Sequence, residues 1–248
     1  MNLTDAELDR YARQIVLREL GGIGQRKLKA AKIAVVGAGG IGGAVIAALA
    51  GAGIGELTMI DDDVVEIANL HRQPLFRERD AGYSKADLAL QFVQRLNQFV
   101  KAVPVQQRIG ADNATELLGG HDLVVDGTDN FATRLAVSDA CVRLDTPLVS
   151  AAAIQFQGQV GLFRKQPCYR CFVGDAFDAD DCDNCAELGV LGALTGTVGS
   201  FAALVAINTI VGIGDDQAGR LHLFDGEKLS WRSIHIPADP GCKACGSG

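Results

Sequence analysis

Lys32-Ile33-Ala34-Val35-Val36-Gly37-Ala38-Gly39-Gly40-Ile41-Gly42 is the stretch whose reading decides the fold. A short apolar run with β-branched residues predicts a buried strand. Glycines follow at once, and Ala44 to Ala50 continues with small residues suited to a helix. A glycine turn between strand and helix lets the backbone approach a phosphate, with the helix N–H groups and dipole facing its charge. Gly37, Gly39 and Gly42 fit the spacing G-x-G-x-x-G, and Gly40 sits inside the same turn. The next apolar run, Leu57-Thr58-Met59-Ile60, ends at Asp61-Asp62-Asp63. Asp61 thus falls where a carboxylate would hold ribose hydroxyls. Glycines alone say little, because turns need them anyway. Their place after a strand, with the acid downstream, points to a bound nucleotide.

Outward from this unit the pattern repeats. Thr4 and Glu7 form a capping-box pair that predicts a helix from there to about Leu20, ended by Gly21-Gly22-Ile23-Gly24. Leu88, Phe92, Leu96 and Phe99 keep helical spacing after Ser84, and Val103 to Ile109 alternates like a strand. Asp122 to Asp126 reads as a strand, Asn130 to Leu144 as a helix, and Pro147 to Ser150 as a strand. Strands alternating with helices imply an α/β fold, a Rossmann-like, doubly wound, mostly parallel sheet. Beyond about residue 155, Gln159–Arg164, Arg220–Phe224 and Ser230–Ile236 predict antiparallel strands that extend the same sheet. One continuous domain over 1–248 is expected, with a nucleotide-binding part over 30–155 and a different part over 156–248.

The chain has 248 residues, 48% hydrophobic and 21% charged, with a net charge of −7. That acidic balance, with scattered basic residues, argues against a nucleic-acid-binding surface. The polar, acidic start lacks the features of a signal peptide, and seven cysteines without an export signal suggest the reducing cytoplasm. Leu188 to Gly214 holds no charged residue and is long enough to span a bilayer. Six glycines and several hydroxyl and amide side chains interrupt it, so it reads as a buried core helix rather than a membrane span.

Polar segments after the aspartates bear on which nucleotide binds. Asn69-Leu70-His71-Arg72-Gln73 is followed by Lys85, then by Asp126-Gly127-Thr128-Asp129-Asn130. Arg72 and Lys85 are cations suited to a triphosphate. Asp129 lies just past the carboxyl end of a strand, where open α/β sheets bind ligands, and could hold Mg²⁺ against phosphate oxygens. Singly, each has a plainer reading: a surface ion pair for Arg72, a helix cap for Asp129. The co-occurrence favours a nucleoside triphosphate over the nicotinamide cofactor of an oxidoreductase.

Three CxxC pairs complete the inventory: Cys168/Cys171, Cys182/Cys185 and Cys242/Cys245. Four of these thiolates can close a tetrahedral site, and Gly241 and Gly246 allow the tight turn around the last pair. Spacing alone leaves open which two pairs do so. Cys141, inside a helix, reads as core, and the four histidines are isolated.

Arg10-Tyr11-Ala12-Arg13-Gln14, the glycine turn, Asp61-Asp62-Asp63, Asn69 to Gln73, Thr128-Asp129-Asn130, Pro167-Cys168-Tyr169-Arg170-Cys171 and Gly241 to Gly246 together resemble the ThiF/MoeB/HesA family, bacterial relatives of ubiquitin-activating enzymes. The resemblance covers nearly the whole chain in order. It implies ATP-dependent adenylation of the C-terminal glycine of a ubiquitin-like sulfur carrier protein ending in Gly-Gly, in thiamin or molybdopterin biosynthesis. By resemblance Asp61 holds the ribose, Asp129 the Mg²⁺, and Asn69, Arg72 and Lys85 the phosphates, with Gln73 and Asn130 nearby. Arg13, on a helix within 1–24, is expected to reach the active site of a second subunit, making a homodimer. A cysteine desulfurase or other sulfur donor is a further partner class. The resemblance also assigns Zn²⁺ to Cys168, Cys171, Cys242 and Cys245.

Cys185 resembles the family's reactive cysteine ahead of the glycine-rich helix. The acidic run before it would raise a thiol's pKa, and Glu187-Leu188-Gly189 departs from the family's usual Thr-Ala-Gly surroundings. Competing readings are an NAD-dependent oxidoreductase, a zinc-bearing scaffold without catalysis, and a family member adenylating a tRNA base.

Overall fold

The structure is a computed structural model and describes residues 2–174 and 189–246. Cys182 and Cys185 lie outside the described residues, and so does the expectation of a reactive Cys185.

Eight strands form one sheet in the order β3-β2-β1-β4-β5-β6-β7-β8. β1 (Lys32–Val36), β2 (Glu56–Ile60), β3 (Lys101–Val105), β4 (Leu123–Asp126) and β5 (Leu148–Ile154) run parallel. β6 (Gln157–Phe163), β7 (Arg220–Asp225) and β8 (Ser230–His235) continue it antiparallel. β1 pairs with β2 on one side and β4 on the other, so the winding reverses there. Reversal opens a crevice at the carboxyl ends of β1 and β4, the place where such sheets hold ligands.

The central strands are buried on both faces, which is why they read as unbroken apolar runs. Ile33 and Val35 point into a core shared with α3 (Gly40–Ala52) and α8 (Gly192–Val211), where Val45, Leu49, Val198 and Ala202 pack. Ala34 and Val36 point the opposite way, toward Val137, Ala140 and Cys141 of α6 (Phe131–Leu144). α8 is long and apolar enough to cross a membrane by composition, yet half of its apolar window is buried inside the protein. Glycine brings it there: a Cβ at Gly199 would lie 2.4 Å from the Ile41 carbonyl oxygen of α3.

The N-terminal helix differs from expectation. α1 spans Asp5–Ile15, with the Thr4–Glu7 capping box formed, and a second helix, α2, occupies Gly21–Ala30. Glycines 21–24 therefore start a helix rather than end one. Gly24 is there for close packing, since a Cβ would meet Val211 at 2.9 Å and Leu20 at 3.0 Å. β3 also runs earlier than the alternation at 103–109 suggests, with Pro104 on a terminal strand of the sheet where a missing N–H is tolerated. α4 (Lys85–Leu96), α5 (Ala114–Leu118) and α7 (Tyr169–Val173) complete the helices among the described residues.

Candidate active site

The crevice at the switch point is a pocket whose wall includes Gly37, Gly39, Gly40, Asp61, Arg72, Gln73, Lys85, Asp129 and Asn130. Its floor is the glycine turn. Gly37 has φ of +84°, and its N–H donates to the Ile60 carbonyl at 2.8 Å. Gly42 does not line the pocket; it allows the turn itself, because a Cβ there would sit 1.7 Å from the Gly37 carbonyl oxygen. At Gly40 a Cβ would come within 2.9 Å of both the Arg72 carbonyl oxygen and the Thr195 hydroxyl, so the Arg72 loop and the start of α8 close directly over the turn.

Asp61 is fixed by the chain it terminates. Its carboxylate accepts N–H bonds from Ala38 at 2.6 Å and Asp63 at 2.9 Å. Burial pushes the Asp61 carboxyl above its ordinary range, against the opposing pull of those N–H groups and of Lys85. Lys85 opens α4 behind the Ser84 cap and is 5% exposed; its ammonium donates to Asp63 at 2.8 Å, a carboxylate 66% exposed. That asymmetry leaves a buried cation with a solvent-screened partner, ready to exchange it for an anion in the pocket.

Arg72 is tethered by Asn69 Oδ1 at 2.7 Å and meets His71 Nε2 at 2.8 Å. Asn69 is not among the pocket walls and instead steers Arg72. Gln73 is buried and its Oε1 has no hydrogen-bond partner among the described residues. Asn130, not Asp129, caps α6, its Oδ1 accepting from Thr133 N at 2.9 Å. Asp129 is thereby released from a capping role and belongs to the pocket wall. Arg13 is exposed on α1, outside that wall.

Residues that sequence reasoning missed are also present. Gln107 and Arg108 line the pocket from the loop after β3, Thr195 from α8, Thr128 from the β4–α6 turn and Arg134 from the first turn of α6. Thr128 donates through both its N–H (3.0 Å) and its hydroxyl (2.7 Å) to Asp126, whose carboxyl burial pushes up. Arg134 stands one helical turn past the cap.

Outside the wall of this pocket, Cys168, Cys171, Cys242 and Cys245 come together, all four sulfurs within 4.8 Å of one another. Sγ–Sγ distances are 4.0 Å for Cys168–Cys171, 3.6 Å for Cys168–Cys242 and 3.3 Å for Cys171–Cys245. Four thiolates about 2.3 Å from a tetrahedral zinc stand about 3.8 Å apart, so the set fits that ion. A small apolar cluster with Val142 surrounds it. Arg170, between the first two cysteines, makes a bidentate pair with Asp139 of α6 at 2.7 and 2.8 Å and orients the first pair. Burial pushes the Cys168 and Cys245 thiols up, the latter to about 11. A cation in the centre would offset that cost. Cys141 is apart, with burial pushing its thiol up to about 12, which makes it inert.

A phosphate-type turn at the switch point of an extended Rossmann-like sheet marks the nucleotide-binding α/β proteins. Within that class the chain belongs to the ThiF family, whose sequence model covers residues 11–244. It is 42% identical to a sulfur carrier protein adenylyltransferase of Thermus thermophilus, over 99% of this chain and 93% of that protein. It is 38% identical to the molybdopterin-synthase adenylyltransferase of Salmonella typhimurium, over 98% of each. Crystal structures of E. coli MccB share the fold, with a TM-score of 0.85 at 23% identity for the complex with MccA-N7isoASN, covering 99% of this chain and 76% of that one.

Proposed function

We propose that this protein is an adenylyltransferase that uses ATP to activate the C-terminal glycine carboxylate of a ubiquitin-like sulfur carrier protein. The observation that carries the reading is the convergence of Arg72, Lys85, Asp61 and Asp129 on one pocket over the glycine turn. Full-length relatives named as adenylyltransferases of a sulfur carrier protein and of molybdopterin synthase support the substrate class. The acidic balance of the chain, net charge −7, favours a protein substrate over a tRNA base.

In this reaction the glycine carboxylate oxygen forms a bond to the α-phosphorus while the bond from that phosphorus to the bridging oxygen breaks. Pyrophosphate leaves with its electron pair, and the carrier keeps an acyl-adenylate. Asp61 receives the ribose hydroxyls, and the Gly37–Gly40 backbone receives the phosphates. Lys85 exchanges Asp63 for the phosphate chain, and Arg72, held by Asn69, neutralises charge on the leaving group. Gln73 supplies its free amide oxygen and Asn130 lies beside Asp129. Mg²⁺, held by Asp129, would supply further charge neutralisation at the phosphates. Zn²⁺ at the four cysteines would be structural, joining the chain near 168–171 to that near 242–245. Arg13 serves the pocket of a second copy, which makes the working unit a homodimer. Exposed Leu8, Val16, Leu17 and Ile23 around α1 and α2 give that contact an apolar surface. Residues 30–155 form the nucleotide part and 156–248 the carrier and zinc part. The cytoplasm, where a sulfur donor such as a cysteine desulfurase would act, is the expected compartment.

ATP–pyrophosphate exchange tests the reading. Exchange is expected only with a carrier ending in Gly-Gly, and is lost in Asp129→Ala. Comparing a thiamin-type with a molybdopterin-type carrier assigns the pathway. No exchange with either, together with tight NADH binding, would overturn the proposal.

A further inference from the structure

The β4–α6 turn is tied down more heavily than a four-residue connection needs. Asp126 is 1% exposed, and its Oδ1 takes both the N–H and the hydroxyl of Thr128. Asn130 caps α6 through Thr133. The Thr128 carbonyl is gripped by Arg134, through Nε at 2.9 Å and also through Nη2. Gly127 packs on the phosphate turn, with the Gly42 nitrogen 3.2 Å from where its Cβ would be. Between these fixed neighbours stands Asp129, whose own side chain has no part in holding the turn.

Arg134 lines the same pocket and lies among carboxylates, yet it spends two donors on a backbone carbonyl. An arginine fork presents its donors in a fixed plane, so two bonds to one oxygen fix where that carbonyl sits and which way it points. The carbonyl carbon of Thr128 is bonded to the nitrogen of Asp129, so fixing that peptide plane places the Asp129 N and Cα, and the Asn130 cap on the far side limits the remaining rotation that aims the side chain. We propose that Arg134 is a positioning residue for Asp129: it holds the Thr128 peptide so that the Asp129 carboxylate faces the nucleotide pocket ready to take a divalent cation. This rests on the reading of Asp129 given above. Arg134 acts through the turn and needs no contact with the phosphates.

The test is direct binding of Mn²⁺, followed by electron paramagnetic resonance, in the full chain with a non-hydrolysable ATP analogue. Arg134→Gln should weaken Mn²⁺ binding roughly tenfold, as expected when a pre-organised ligand is loosened. Arg134→Lys, keeping the charge but not the fork, should recover only part of that. Thr128→Val, a gentler change that removes only the hydroxyl tie to Asp126, should weaken Mn²⁺ about two- to threefold and covers the case in which Arg134→Gln does not fold. In an Asp129→Asn background neither substitution should weaken Mn²⁺ further, because coupled residues are non-additive. Equal losses with and without Asp129 would overturn the positioning role and make Arg134 a direct ligand of the nucleotide complex. Unchanged Mn²⁺ binding in Arg134→Gln or in Arg134→Lys would also overturn it. If Asp129→Asn alone leaves Mn²⁺ binding intact, the metal-holding reading of Asp129 falls first and the positioning role with it.

Discussion

Gly42 and Gly43 are adjacent in α3 and would be interchangeable to any argument from helix propensity. Replacing each by alanine separates them. At Gly42 the new Cβ would stand 1.7 Å from the Gly37 carbonyl oxygen, which is backbone and cannot rotate aside. The turn must retreat by more than about 1 Å, and misplacement on that scale costs on the order of 100-fold in a pre-organised site, about 2.7 kcal/mol. At Gly43 the nearest atom would be Leu75 Cβ at 3.6 Å, an ordinary contact. There the substitution removes backbone freedom from the unfolded chain and stabilises by about 0.5–1 kcal/mol, raising Tm by roughly 1–4 °C for a chain of this size. Titration with a fluorescent ATP analogue and thermal melts read both effects. Gly42→Ala should lose nucleotide affinity by roughly two orders of magnitude, while Gly43→Ala binds normally and melts slightly higher. Wild-type affinity in Gly42→Ala, or equal losses in the two, would refute the account of the turn as a phosphate seat.

Three other outcomes are expected. Metal analysis should find one zinc per chain, and Cys242→Ser should lose it with a stability loss on the order of 4 kcal/mol, the loop-closure entropy of the connection from 171 to 242; a full zinc complement in that variant would place the ion elsewhere. Asp61 binds its proton more tightly folded than unfolded, so it contributes stability at pH below its ordinary value near 3.8 and that contribution is lost as pH rises through the raised folded value. Urea melts across pH 4–7 should show this falling slope in wild type and a flatter one in Asp61→Asn; parallel slopes would contradict it. Arg13→Ala should slow pyrophosphate exchange on the order of 100-fold without changing the melt, and mixing it with Asp129→Ala should restore activity through one complete hybrid pocket; no recovery would argue against action in trans.

The parallel sheet was legible because its strands are buried on both faces and leave unbroken apolar runs, such as Ile33–Val36. The pocket was legible where chemistry needs a rare residue in a fixed place: glycines at 37, 39 and 40, Asp61 at a strand end, and cations after it. Gly21–Gly24 misled because glycine serves close packing as well as chain reversal, and only the position of Val211, 187 residues beyond Gly24, tells which. The fold adds a bond from Arg72 to Asn69 that spacing alone does not record. Arg134 gave no signal, since its partner is a backbone carbonyl and no side-chain pattern records it. Spacing treats all CxxC pairs alike; the resemblance picked out the pairs 168/171 and 242/245, and the fold brings those four sulfurs together.

The sheet divides the apolar interior into two compartments with different walls. Val35 belongs to the compartment of α3 and α8, and Val36, its covalent neighbour, to that of α6. Substitutions at the two positions therefore perturb different compartments. Val35 shares its compartment with Val198, which lies 163 positions along the chain. For anyone re-engineering this protein, the unit of design is the face of the sheet rather than the stretch of sequence: one side can be repacked wholesale while the other is left as it stands.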